Sequence, residues 1–216
     1  MKRQLPKLPP APLAIQLLEE AARRAAEEEE HIENAQFVND MLLETELQRV
    51  EIDTCYFKSC KFPECTIQKS YVTDVIFRDC DLSNVHFEDT NFRRVEFHNC
   101  KLVGTNFTGA ILKQVLLSEC QGRYCNFSFA HIAETWLQKC DFSKMGMTEA
   151  KLSKISLEDC CLAEAEMLNT PLKGVDLTTN DLQGIRLSGG ELQGAIISSL
   201  QAVDLIRIFG VAIRDG

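Results

Sequence analysis

The sequence predicts an all-β solenoid, a quadrilateral parallel β-helix, from three observations. Large apolar residues recur at every fifth position, smaller inward-type residues stand two positions before each of them, and the smaller residues sort into like columns at a spacing of twenty. An α-helix repeats near 3.6 residues and a strand near 2, so a five-residue period belongs to neither. A chain that sends two side chains inward and three outward per unit, then turns, winds around its own side chains.

The register is continuous from Ile32 through Phe37, Leu42 and Leu47 to Phe77, Leu82, Phe87, Phe92, Phe97, Leu102 and Phe107, and onward to Leu192 and Ile197. It holds for 34 consecutive units without an insertion, and only Gly122 breaks the chemistry. Sorting the smaller residues by twenty places Cys60, Cys80, Cys100, Cys120, Cys140 and Cys160 in one column, and Val75, Val95, Val115, Thr135, Ile155 and Val175 in another. Sorting by fifteen scrambles both, so the coil has four sides. With parallel strands spaced about 4.8 Å apart, 34 units give about 8.5 coils and a rod of roughly 40 Å.

Three segments follow: residues 1–31 with a capping helix, the solenoid over 32–197, and a tail over 198–216. Residues 11–30, APLAIQLLEEAARRAAEEEE, place Leu13, Leu17, Leu18, Ala21 and Ala25 at helical spacing, with Glu19–Arg23 and Glu20–Arg24 as supporting pairs. A solenoid must cover the apolar end of its first coil, and this helix is read as that cover; a partner-binding or membrane-surface helix is the alternative. At the other end Ser198 or Ser199 caps a helix running to Phe209, and Gly210 stops it. Leu200, Val203, Leu205, Ile206, Phe209, Val211 and Ile213 supply more apolar surface than a rod end hides. The tail is therefore read as a cap that is also a two-fold dimer interface, with a cap alone as the alternative.

The units CDLSN (80–84), TNFRR (90–94), CNFSF (125–129) and VDLTT (175–179) resemble the pentapeptide-repeat family, whose unit is A-(D/N)-L-x-x. That resemblance implies a right-handed coil, as parallel crossovers also favour. The uninterrupted repeat, LNTPLKGVDL (168–177) and SLQAVDLIRIFGVAI (199–213) look, more narrowly, like the Qnr-type quinolone-resistance proteins. The narrower resemblance implies a homodimeric, DNA-shaped acidic rod that binds DNA gyrase and topoisomerase IV and protects them from quinolones. Its tail would be a short helix and strand joining two rods end to end. Some Qnr proteins carry two projecting loops that contribute to protection, and this register leaves no room for them. A structural or adaptor solenoid for an unrelated partner, or a self-immunity protein against a topoisomerase-poisoning peptide, would use the same fold.

A net charge of −9 and a pI near 5.0 speak against direct nucleic-acid binding, which needs clustered Lys and Arg. Charge is uneven along the chain: Asp plus Glu against Lys plus Arg stands at 11 to 5 over residues 40–90, 5 to 9 over 91–154, and 9 to 4 over 155–216. Flanking the cysteine column outside are Asp79, Asp81, Glu119, Asp141, Asp159 and Asp181, opposed by Lys101 and Lys139; this face is the candidate partner-binding surface. The cysteine column is read as structural: thiols on a line sharing one inward direction do not converge on a metal, and parallel Cβ vectors disfavour a disulfide. Cys161 is the one cysteine placed outward. His31, His86, His98 and His131 are scattered, and no nucleophile and base converge, so neither an enzyme nor a cofactor is expected. The amino-terminal MKRQLPKLPP lacks the apolar core of a signal peptide, and no apolar run approaches the roughly 20 residues of a membrane span, which gives a cytoplasmic expectation.

Overall fold

A computed structural model describes residues 2–9, 13–28, 31–212 and 214. It is a parallel β-solenoid whose ladders make about seven turns. The strands are β1 (Ala14–Ile15), β2 (Ile32–Glu33), β3 (Ala35–Val38), β4 (Glu46–Gln48), β5 (Glu51–Asp53), β6 (Tyr56–Lys58), β7 (Thr66–Gln68), β8 (Tyr71–Arg78), β9 (Asn91–His98), β10 (Ile111–Ser118), β11 (His131–Gln138) and β12 (Lys151–Glu158). Every pairing among the described strands is parallel. From β2 onward each is offset by twenty residues, as in Val72↔Phe92, Phe92↔Leu112, Leu112↔Ile132 and Ile132↔Leu152.

Side one of the coil holds Leu82 and Leu102, side two Phe87 and Phe107, side three Phe92 and Leu112, and side four Phe97 and Leu117. Sides three and four run together as the long strands β8 to β12. Side two begins with the short pair β4 and β7, and otherwise sides one and two are joined by single bridges, Lys61↔Asp81↔Lys101↔Gln121 on one and Thr66↔His86↔Asn106↔Asn126 on the other. Regular strands end at Glu158, and later coils are tied by bridges such as Asp176↔Ile196; the strand ladder is thus shorter than the repeat that specifies the coil.

The five-residue period works because the residue two after each central one turns the chain. Every fifth residue from Asn34 to Gly194, except Thr179, has a positive φ, from 47° at Glu44 to 104° at Gly189. Left-handed backbone costs a residue with a Cβ roughly 1–2 kcal/mol. The ladder offsets that cost: corner N–H groups donate to carbonyls one coil onward, as Asp79 does to that of His98 at 2.9 Å and Asn84 to that of Val103 at 2.8 Å.

Inside, like stacks on like. Phe37, Phe57, Phe77 and Phe97 form a face-to-face column with centroids 4.9, 4.8 and 5.0 Å apart, and Phe87, Phe107 and Phe127 form a second at 5.4 and 4.9 Å. Gly122, the exception in the register, is explained by its neighbour on the next coil. A Cβ at Gly122 would stand 2.5 Å from Cδ1 of Phe142, so the Phe142 ring occupies the room that a central side chain would take.

The amino-terminal region differs from the expectation of a helix over 11–30. The helix α1 spans Leu18–Glu27 and buries Leu18, Ala21, Ala22 and Ala25. Before it, Ala14 and Ile15 add a parallel edge strand to β3, and Leu17 stands at the extended N-cap position, 60 % exposed. Ala14–Ile15 can pair because β3 leaves an open edge, and that pairing outweighs helical spacing. Arg23 bonds Glu27 at 3.0 Å and Glu28 at 3.1 Å, toward the helix end, where a reach back to Glu19 was expected. Residues 2–9 lie outside any helix and are held against the rod by Gln114, Asp74 and Glu96.

At the carboxyl end Ser198 caps α2 (Ser199–Leu205) with a reciprocal capping box: its Oγ accepts from Gln201 N, and Ser198 N donates to Gln201 Oε1. A 3₁₀ turn (Ile206–Phe209) follows, so the α-helix stops four residues earlier than expected, and Gly210 closes it at φ 72°. Gln201 Nε2 donates to the Leu177 and Asn180 carbonyls at 2.7 and 2.8 Å, fixing α2 to the last coils.

Candidate partner-binding surface

The six flanking carboxylates form two columns beside the buried cysteines. Asp79, Glu119 and Asp159 are exposed corner residues in left-handed backbone, with φ of 56°, 57° and 54°. They sit two coils apart, roughly 10 Å, with Asn99 and Lys139 between them. Asp81, Asp141 and Asp181 lie on side one in a bridged column that also holds Lys101, Gln121 and Cys161. These three have a local duty as well. Asp81 Oδ1 accepts from the N–H and Oγ of Ser83 at 3.2 and 2.7 Å, Asp141 Oδ1 from those of Ser143 at 3.0 and 2.6 Å, and Asp181 Oδ1 from Gln183 N at 3.0 Å. An acidic or amide residue at this position closes the turn two residues on, which takes up one carboxylate oxygen per residue and leaves the other outside that turn. Lys101 stands 3.9 Å from Asp81 and dilutes the column there.

In the cysteine column Cys60, Cys80, Cys100, Cys120, Cys140 and Cys160 are all free and buried. From Cys80 on, each thiol donates to a carbonyl twenty-three residues back, Cys80 to Phe57 and Cys100 to Phe77, both at 3.5 Å. The column is closed by polar residues in the same register. At one end Asp40 Oδ2 accepts from the first helical N–H, Leu18, at 2.7 Å; at the other Asn180 accepts from Cys160 N at 2.9 Å and donates to the Leu157 carbonyl at 3.0 Å. Elsewhere in the core, burial pushes the Cys55 thiol up to about 12 and raises Cys125 too. Cys161 is half-buried, less open than its outward register suggests, with Sγ 3.8 Å from Asp181 Oδ2.

The seven tail residues divide. Leu200 is 83 % exposed, Phe209 57 %, Val203 47 %, Val211 46 % and Ile206 37 %. Leu205 is 4 % exposed and belongs to the core cluster, so it corrects the expectation of an interface residue. One face of α2 must close the last coil, and Leu205 is on it. Ile213 lies outside the described residues, and no strand follows α2 among the described ones. The Phe209 ring lies over Gly189, where a Cβ would stand 2.5 Å from the ring. Nearby, Glu191 is buried in the last corner; burial works against its charge, but Ser188 Oγ and the N–H groups of Asn169 and Gly189 hold its carboxyl below the usual range. Among the described residues no three His, Cys, Asp or Glu are arranged to hold a metal, and no helix is long and apolar enough to cross a membrane.

A coil turning every fifth residue, with (D/N) at the turn-closing position, defines a class, and family models agree. A pentapeptide repeat region matches residues 70–139, and pentapeptide repeats in eight copies match residues 125–162. The chain is a pentapeptide-repeat protein. Among solved structures it resembles QnrB1, a plasmid-mediated fluoroquinolone resistance protein. Two trypsin-treated, singly substituted forms of QnrB1 match, one at 20 % identity and TM-score 0.50, the other at 21 % and 0.52; each match covers 83 % of this chain and 90 % of the other. HetL, a pentapeptide repeat protein involved in heterocyst differentiation regulation from the cyanobacterium Nostoc sp. strain PCC 7120, aligns at 15 % identity and TM-score 0.35 over 85 % of this chain and 98 % of that one. Comparison with curated protein sequences gives no match.

Proposed function

We propose that this protein is a non-enzymatic, DNA-mimicking cytoplasmic rod that binds DNA gyrase and topoisomerase IV and protects them from quinolones. The observation that carries the reading is the paired column of outward carboxylates on a solenoid shaped like that of QnrB1. A gyrase saddle that grips duplex DNA is lined with cations, and an acidic rod competes for it electrostatically. Five exposed apolar side chains at the carboxyl end, Leu200, Val203, Ile206, Phe209 and Val211, supply the contact through which two rods join into a homodimer. Such a dimer is about 80 Å long, the length of roughly 24 base pairs at 3.4 Å each. Sedimentation of the purified protein with gyrase tests the reading. A complex at 50 mM salt that weakens steeply by 200 mM is the expected result, and no complex at low salt rejects it.

A second reading, an adaptor solenoid for an unrelated partner, is favoured by side three, which exposes Arg93, Lys113, Lys151, Lys154 and Lys173. A basic stripe is not needed by a DNA mimic. An acidic partner would be held there, and exchanging Arg93 and Lys113 for Glu would abolish its binding while leaving gyrase binding intact.

A further inference from the structure

Side four is unlike the rest of the exterior. Its outward column runs Ile76, Glu96, Leu116, Trp136 in unbroken ladder register. The repeat aims these side chains away from the core, yet Glu96, Leu116 and Trp136 are only 8 %, 3 % and 8 % exposed. The corner residues beside them, Asp74, Arg94 and Gln114, are buried as well. The chain's own amino-terminal segment runs across this region. Gln4 N donates to Gln114 Oε1 at 2.8 Å, Lys7 N donates to Asp74 Oδ1 at 2.8 Å, and the Arg3 guanidinium stands 3.3 Å from Glu96 Oε1.

The geometry is that of peptide recognition. Gln114 and Asp74 are two coils apart, roughly 10 Å, and three residues separate Gln4 from Lys7, so the segment rises about 3.2 Å per residue, close to polyproline II. Pro6 and Pro9 fit that backbone, and neither is asked to donate. Arg3, Pro6 and Leu8 are half-buried, while Gln4, Leu5 and Lys7 are exposed. The acceptors are prepared by the rod itself. Arg94 holds Asp74 with two bonds, from Nε at 2.6 Å and Nη2 at 2.5 Å, and still leaves Oδ1 accepting from the segment. Glu96 is bonded through Oε2 to His98 at 2.7 Å, while its Oε1 is buried, has no hydrogen-bond partner among the described residues, and meets the Arg3 guanidinium as an ion pair at 3.3 Å. A buried carboxylate oxygen met by a cation, two side-chain acceptors at polyproline spacing and a column with apolar Ile76, Leu116 and Trp136 specify a cationic, extended occupant.

We infer that side four carries a binding groove for an extended, basic, proline-containing peptide segment, filled in cis by residues 3–8. The partner it fits is a protein presenting such a segment in trans, which would displace the chain's own. This inference does not rest on the topoisomerase reading.

Trp136 is the single tryptophan of the chain and lies in the same column, one coil beyond Leu116, so its emission reports on the groove. The full-length variant Arg3→Glu/Gln4→Pro/Lys7→Pro removes the cation and both N–H donors while suiting extended backbone. It should shift Trp136 emission to the red with the far-ultraviolet dichroism unchanged. A fluorescein-labelled peptide of residues 2–9, KRQLPKLP, should then bind the variant at least about tenfold tighter than wild type, because a tethered segment competes at roughly millimolar effective concentration. Adding Glu96→Arg should abolish that binding. Unchanged Trp136 emission in the folded variant, or equal or absent peptide binding in both proteins, overturns the inference. Should the variant lose its fold, wild type decides the matter: excess peptide should accelerate hydrogen exchange at Gln4 and Lys7, and unchanged exchange at peptide saturation overturns the inference.

Discussion

Gly122 offers a test that sets the repeat against the structure. Leucine there would restore the consensus at the one broken unit, and repeat logic alone expects a more stable rod. The packing expects the opposite. A Cβ at position 122 falls 2.5 Å from Phe142 Cδ1 and 3.3 Å from Cys125 Sγ before any further carbon is added. Overpacking of this kind costs about 1–3 kcal/mol, and loss of glycine's freedom in the unfolded chain returns about 0.4–1 kcal/mol. Gly122→Leu should therefore destabilise by about 1–2 kcal/mol, a melting-point drop of roughly 2–8 °C for a chain of this size. Phe142→Leu alone leaves the space beside Gly122 empty and should cost about 1–2 kcal/mol. Together the two substitutions exchange which coil fills the space, so the double variant should recover at least about 1 kcal/mol relative to the sum. Thermal unfolding followed by circular dichroism, checked by urea midpoints, reads all three. A Gly122→Leu protein as stable as wild type, or strictly additive losses in the double variant, would refute the reasoning.

Three further outcomes follow from the ends and the corners. Ile206→Asp with Phe209→Asp should halve the sedimenting mass and leave the melting point nearly unchanged, whereas Leu205→Ala, inside the core, should keep the mass and cost about 2–5 kcal/mol; the reverse pattern would misplace the interface. Asn180→Leu strips partners from the buried Cys160 N–H and Leu157 carbonyl and should cost about 1–3 kcal/mol, seen as a lower urea midpoint. Acid should unfold the rod through Asp74 and Glu96. Burial works against both charges, but Arg94 and Lys7 N–H hold Asp74, and His98 and Arg3 hold Glu96, below the usual carboxylate range. A carboxyl depressed in the folded state stabilises it fully above its unfolded pKa, near 4, and that stability is lost as pH falls through the folded value. Arg94→Met leaves burial as the main influence on Asp74, so the pH dependence carried by Asp74 should reverse, its carboxyl taking up a proton on folding and costing stability as pH rises; the variant should be destabilised at pH 7 by about 3–5 kcal/mol, and a titration of melting point against pH shows both.

The solenoid was legible because each buried side chain repeats its environment every twenty residues, so Phe77, Phe97 and the cysteines from Cys60 to Cys160 announce their stacking directly. Ser198 and Gly210 were legible for a local reason, since capping and left-handed termination are written within a few residues. What was hidden is what depends on distant partners. The amino-terminal segment has no period to detect; its N–H groups are met by side chains 67 and 110 residues away. Leu205 and Ile206 are adjacent in sequence and equally apolar, and only the docking of α2 by Gln201 decides that one is core and the other surface. The acidic face was legible as charge, while the turn-closing bonds of Asp81 and Asp141 show that part of that charge serves the coil itself.

The proposed function is tested most directly by supercoiling with purified gyrase and a quinolone at inhibitory concentration. The account predicts that micromolar protein restores supercoiled product, and that replacing Asp79, Glu119 and Asp159 by Asn, Gln and Asn raises the protein concentration needed by tenfold or more without changing the fold. Supercoiling that stays inhibited at every protein concentration, with no complex at low salt, would contradict it.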